Sequence, residues 1–260
     1  CLGKEIWVML TILFPGYRHG NWKVLYDSIE QSMNGQEFEV IGVGPPIPEN
    51  LKGEIASLTH LRFIPDYGSP SRCAQIALVE AKGEIFTWCS DDGVFLGNGL
   101  SEAYDLLTGL PENDGVCIRY MEGGNTPDDS YWTARTHRDL QIPGVKDNFK
   151  IAPLGMYYTD KVRSIGGWDC SYEHLNMGNH DLAFRLQNNG GVIHLSPSIM
   201  FTCTWSAPQA DWAPVGNAHR ENDSPLFSFM YSVERTDRLS LDINNWKNSP
   251  ARWVRRFGVA

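Results

Sequence analysis

At 260 residues the chain is long enough to bury the core of one large α/β domain. A hydrophobic fraction of 42% with 12% aromatic residues belongs to a folded protein and excludes a disordered one. The net charge of −9 excludes a nucleic acid held by its phosphates, which needs a basic surface, yet leaves room for a phosphorylated ligand that arrives with a cation.

Residues 5–14, EIWVMLTILF, form a continuous apolar run and predict a core strand, well short of the ~20 residues that span a bilayer. The loop PGYRHGN follows, then a helix in which Trp22, Leu25, Ile29 and Met33 recur at helical spacing. FEVIGVG and LRFIP read as strands on either side of a helix, NLKGEIASL. SPSRCAQIALVEAKG is a helix with Ser69 or Ser71 to cap it, Pro70 in its first turn and Gly83 to end it. EIFTWCS is a strand that runs directly into Asp91 and Asp92. Repeated strand-helix-strand units of this spacing predict a mainly parallel sheet with helices on both faces, whose ligands bind at the carboxyl ends of the strands. GLSEAYDLLTGL is a further helix, after which residues 117–150 read as an irregular excursion of Gly, Pro, Asp, aromatics and arginines. A strand at APLGMYYT, a short helix at DKVRSIGGWD, a helix at HDLAFRLQNNGG and a strand at VIHLSP complete a domain over 1–204. Residues 205–260 read as a loop-rich C-terminal extension with one helix around PLFSFMYSVERT.

The six cysteines stand singly, with no C-x-x-C pair, and read as buried thiols of a cytoplasmic-type compartment. No basic segment precedes the first apolar run, so no signal peptide is expected there. The tail WKNSPARWVRRF reads as a solvated terminus, with peripheral contact to an anionic membrane as the alternative.

Two adjacent carboxylates at the rim of a buried strand repel each other unless water or a cation takes up their charge. Mn²⁺ or Mg²⁺ suits Asp91 and Asp92, because hard cations prefer carboxylate oxygens and often let substrate phosphates complete the shell. A solvated D-D-G turn is the plainer reading. Arg18, after the first strand, is placed to meet a phosphate or carboxylate, and Asp66 and Arg72 fall on the same rim. Asp66 serves equally well as a helix cap.

The order TILFPGYRHGN, FEVIGVG, DYGSPSRCAQIALVEAKGEIFTWCSDDG and GGWD…GNHDLAFRLQNNGG resembles the GT-A fold glycosyltransferases, in particular the inverting family 2 group, from about Ile6 to about Pro197. AKGEIFTWCSDDG is similar to the strand that ends in the family's DXD-type motif, and IGGWD with HDLAFRLQNNGG is similar to its GG(F/W)D and ED-x-DL segments. The resemblance implies that Asp92, with Asp91, binds Mn²⁺ or Mg²⁺ on the diphosphate of a UDP-, GDP- or dTDP-linked sugar donor. It implies that Asp66 contacts the nucleobase and that Pro15 and Tyr17 line the nucleoside pocket, with Arg18 and Arg72 nearby. Trp168 and Asp169 then sit at the acceptor, together with Trp132 and Arg135 of the excursion, for a glycan or other hydroxyl acceptor.

Three departures limit this reading. IGVGPP stands where the family shows an aspartate that reads the base or ribose, and Cys89 stands where the metal motif has an acid. In the ED-x-DL segment Gly178 and Asn179 replace the acidic pair, and an Asn amide is no general base. Asp181 ranks first as a substitute because a carboxylate at a helix N-terminus stays ionised, His180 second and Glu173 third. The plainer roles are a partner of Arg185 for Asp181 and a cap neighbour for His180. His219 is the candidate third metal ligand, and His194 reads as a core histidine. The expectation is a metal-dependent hexosyltransferase of glycan biosynthesis that acts by single displacement. A nucleotidyltransferase of similar sheet, or a GT-A domain that binds sugar or nucleotide without turnover, is the alternative. A glycosidase needs two facing carboxylates instead.

Overall fold

The computed structural model describes residues 9–122, 149–203, 209–231 and 238–257. Among them the strands are β1 (Leu10–Pro15), β2 (Phe38–Gly44), β3 (Leu61–Pro65), β4 (Ile85–Trp88), β5 (Gly93–Phe95), β6 (Gly115–Glu122), β7 (Gly155–Tyr158) and β8 (Ile193–Cys203). They form one sheet of 8 strands in the order β3-β2-β1-β4-β7-β6-β8-β5. The pairs β3-β2, β2-β1, β1-β4 and β6-β8 are parallel, whereas β7 is antiparallel to β4 and β6, and β5 to β8.

The helices are α1 (Trp22–Ser32), α2 (Lys52–Ala56), α3 (Pro70–Glu80), α4 (Gly99–Thr108), α5 (Thr159–Ser164), α6 (Leu175–Asn188), α7 (Gln209–Ala218), α8 (Ser224–Met230) and α9 (Val254–Phe257). They cover both faces of the sheet, and the alternation along β1 shows why its sequence is apolar throughout. Leu10, Ile12 and Phe14 join a core with Trp22 and Leu25 of α1 and Leu100 of α4. Leu13 joins a second core with Ala77 of α3 and Leu182 of α6. At the start of α3 the expected cap is Ser69, whose Oγ accepts from Arg72 N at 3.3 Å, with Pro70 in the first turn.

Several sequence expectations shift. Residues 117–122 of the expected excursion belong to β6, and 123–148, with Trp132 and Arg135, lie outside the described residues. The runs around VIHLSP and FTC join as one strand, β8, which contains Pro197. α6 begins at Leu175, earlier than expected, with the His174 ring as cap on Asn176 N at 3.3 Å. The extension carries α7 and a π turn, His219–Asp223, ahead of the expected helix α8. No described helix is long and apolar enough to cross a membrane. His194 is not a core residue: its Nε2 pairs with Asp114 at 2.9 Å on a ring 35% exposed.

Candidate active site

A cavity of about 490 Å³ lies at the carboxyl ends of β1 and β4. Several distant segments of the chain line it. Pro15, Tyr17 and Arg18 come from the loop after β1, and Ser90, Asp91 and Asp92 from the loop after β4. His174, Leu175 and Asn179 belong to the start of α6, and His219 and Arg220 to the π turn. Trp253 and Arg256 enter from the C-terminal segment.

The two adjacent aspartates lie in the turn between β4 and β5 and have different surroundings. Asp91 is almost fully buried and accepts at Oδ2 from the backbone N–H groups of Tyr17 at 2.7 Å and Arg18 at 2.6 Å. Its Oδ1 takes Arg18 Nη1 at 2.7 Å. Asp91 therefore ties the loop after β1 to the loop after β4. Asp92 keeps 17% of its side chain exposed, with Arg18 Nη2 at 3.8 Å and the Ser90 hydroxyl donating to it. Burial lifts its carboxyl above the ordinary value, Arg18 pulls it down and Asp91 adds to the rise.

These residues fit a hard divalent cation as a partial site. Asp92 offers a carboxylate whose charge is poorly accommodated, and His219 lines the same cavity with a buried Nδ1 that has no hydrogen-bond partner. Burial, then Arg220, lowers the His219 pKa, which keeps the imidazole in its neutral, ligating form. Among the described residues no group of three His, Cys, Asp or Glu is placed to hold an ion, so water or phosphate oxygens would have to complete the shell.

The cavity is also cationic in an acidic protein. Arg18, Arg220 and Arg256 face it against Asp91 and Asp92. Its two histidines add little positive charge: burial, then His219 and Arg18, push His174 down to about 4, and burial, then Arg220, lowers His219. Such a lining attracts an anion.

The three expected general bases are held elsewhere. Asp181 is 0% exposed and accepts from Arg185 Nε at 2.8 Å, Tyr231 Oη at 2.7 Å and Arg238 Nη1 at 2.6 Å. It lies in the second turn of α6, so the expected helix-terminus position is corrected as well. His180 is buried against Phe227, with ring centroids 6.3 Å apart, and burial followed by His219 pushes it down to about 3. Glu173 accepts from Trp253 Nε1 at 2.7 Å and Arg255 Nε at 2.8 Å.

The expected acceptor and base contacts are also engaged inside the protein. Trp168 is 0% exposed against Phe86, and its Nε1 donates to Asn179 Oδ1 at 2.9 Å. Asp169 accepts from Arg238 Nη2 at 2.5 Å and Ser171 N at 2.8 Å. Burial works to raise Asp169, but Arg238 and the Ser171 N–H outweigh it and hold the carboxyl below its ordinary value. Asp66 accepts from Gly68 N at 2.6 Å and from Arg72 Nε at 3.0 Å, and neither Asp66 nor Arg72 lines the cavity.

Asn179, which stands where the resemblance has an acid, lines the cavity with both ends of its amide used. Its Oδ1 accepts from Trp168, and its Nδ2 donates to Pro153 O at 2.8 Å. A carboxylate there has no proton to give Pro153. Gly44, at the other departure, has no room for a side chain: a Cβ would stand 1.9 Å from Gly16 O. Sequence reasoning did not single out His174, Arg220, Trp253 or Arg256. The run ARWVRRF, with an aromatic residue among arginines, was the available signal for the last two.

No protein-family model matches the sequence, and no curated protein matches it. Solved structures do match. S. aureus TarS 1-349 aligns with a TM-score of 0.59 at 15% identity, over 97% of this chain and 92% of that one. The mannosyltransferase PcManGT from Pyrobaculum calidifontis, in complex with GDP-Man and Mn²⁺, gives 0.56 at 15% identity over 80% of this chain. GalNAc-T7 with UDP, GalNAc and Mn²⁺ gives 0.57 at 12% identity over 94%. The chain spans only 46% of the longer TarS chain, 60% of PcManGT and 57% of GalNAc-T7. The fold is that of the GT-A glycosyltransferases, as the sequence resemblance implied, and likeness at this identity speaks to the fold alone.

Proposed function

We propose that this protein is a glycosyltransferase that moves a sugar from a nucleotide-sugar donor to a hydroxyl of a glycan or similar acceptor, with inversion. The observation that carries the reading is the convergence of Asp92, His219, Arg18, Arg220 and Arg256 on one cavity at the carboxyl ends of β1 and β4 in a GT-A sheet. A nucleoside diphosphate leaving group gathers negative charge as its bond to the sugar breaks, and preorganised guanidinium groups stabilise that charge. Asp92 and His219 are the residues to hold a divalent cation, which when bound supplies Lewis-acid stabilisation of the diphosphate. Asp91 acts by position, keeping Arg18 and the loop after β1 against the cavity. The free thiols of all five described cysteines suit a reducing, cytoplasmic compartment.

A nucleotidyltransferase is less well supported, because the N–H groups of Tyr17 and Arg18 serve Asp91 and are not presented to phosphates. Binding without turnover is the second reading. It is favoured by the engagement of Asp181, His180 and Glu173 away from the cavity. The test is a panel of UDP-, GDP-, dTDP- and CMP-sugars with Mn²⁺, followed by thermal shift and sugar release, on the parent and Asp92→Asn. Stabilisation with release, both weakened in the variant, supports transfer, and stabilisation without release under any acceptor supports the binding reading. If no donor shifts the parent, the nucleotide-sugar assignment is wrong.

A further inference from the structure

The C-terminal segment lies beyond the part of the chain that carries the family resemblance, yet it reaches the cavity along a fastened path. Gln75 Nε2 of α3 donates to Ile243 O at 2.8 Å, and Arg72 Nη1 donates to Ser249 O at 3.3 Å. The Arg72 guanidinium also lies 5.1 Å over the Trp246 ring. The end of the segment crosses the turn after β3, where Trp253 N donates to Tyr67 O at 2.6 Å and Arg252 forms a parallel bridge with Tyr67. Glu173, just ahead of α6, then takes both Trp253 Nε1 and Arg255 Nε.

This path sets three side chains around Tyr17. The Trp253 ring is 5.9 Å from it, the Phe257 ring 6.0 Å, and the Arg256 guanidinium 5.9 Å over its face. A guanidinium seated on an aromatic face is oriented and partly stripped of water, so it meets an incoming anion at reduced cost. Base recognition needs a new surface as well, since both oxygens of Asp66 are taken by Arg72 and Gly68 N. The Tyr17–Trp253 pair at the cavity wall, on the side the C-terminal segment reaches, offers such a surface to a planar base.

We infer that Trp253 and Arg256 are donor-binding residues, and that residues 250–257 form a fixed wall of the donor site with Glu173 as the positioning residue. The ligand class is a nucleoside diphosphate, so the inference rests on the nucleotide-sugar reading. The test is isothermal titration of the full chain with UDP, GDP, dTDP and CDP, each with Mn²⁺, on the parent, Arg256→Gln and Glu173→Gln. Hydrogen exchange across residues 250–257 is measured on the same proteins. Arg256→Gln is expected to lose about tenfold or more in diphosphate affinity, the scale of one hydrogen bond to a charged group, at an unchanged melting temperature. Glu173→Gln is expected to exchange faster over 250–257 and to bind more weakly, and bound nucleotide is expected to slow that exchange in the parent. Parental affinity in Arg256→Gln, or faster exchange of 250–257 on binding, overturns the wall and leaves the donor reading intact. A parent that binds none of the four nucleotides removes the donor reading and this inference together.

Discussion

Asp181→Asn separates an internal anchor from a general base. The carboxylate is fully buried and its oxygens receive Arg185, Tyr231 and Arg238, the last of which also holds Asp169. Asparagine offers one acceptor oxygen and turns an amide donor toward a guanidinium, so buried Arg185 loses its carboxylate partner and Arg238 keeps only Asp169. Breaking a buried ion pair from one side costs roughly 3 to 5 kcal/mol. For a chain of this size each kcal/mol lowers the melting temperature by about 2–4 °C, so a fall of roughly 10 °C is expected. Thermal unfolding followed by circular dichroism measures it, with nucleotide binding and sugar transfer assayed well below the variant's transition. Unchanged melting with abolished transfer would refute the anchor role and return Asp181 to the chemistry.

Three further substitutions probe the departures and the buried histidine. His180 titrates at about 3 in the folded protein against an ordinary value of 6.5, so between those values the unfolded chain binds more protons. Its contribution to stability is present above pH 6.5 and is lost as the pH falls toward about 3, and His180→Leu should flatten the decline of melting temperature over that window. Asn179→Asp leaves Pro153 O without its donor and places a carboxylate against it, at a cost of roughly 1–3 kcal/mol, read as a lower urea midpoint. Gly44→Ala drives a methyl into Gly16 O and displaces the Tyr17–Arg18 loop from Asp91, so both melting temperature and nucleotide affinity should fall. Parental values of both contradict the close approach.

The alternation of apolar strands with capped helices was legible in the chain because both signals are local. β1, β2, β4 and α3 carry their periodicity, cap residues and turn residues within themselves. β5 leaves no signal in the sequence because three residues hold no alternation, and its pairing with β8 joins segments distant in the chain. β6 carries a weak strand signal because its apolar stretch is interrupted by Arg119.

The placement of an acidic pair at the end of β4 was likewise local, whereas the division of labour between its members was not. Both line the cavity, but the oxygens of Asp91 are taken by the loop after β1, whereas Asp92 keeps 17% of its side chain exposed. The same holds for Asp181, Trp168 and Glu173. Their residue types suit catalysis or binding, but their partners Arg238, Asn179 and Trp253 arrive from other segments. A sequence by itself determines which residues are chemically able, through type and local spacing. Only the tertiary structure decides which of them keep a free oxygen or nitrogen facing a ligand, because that depends on donors brought in by distant parts of the chain.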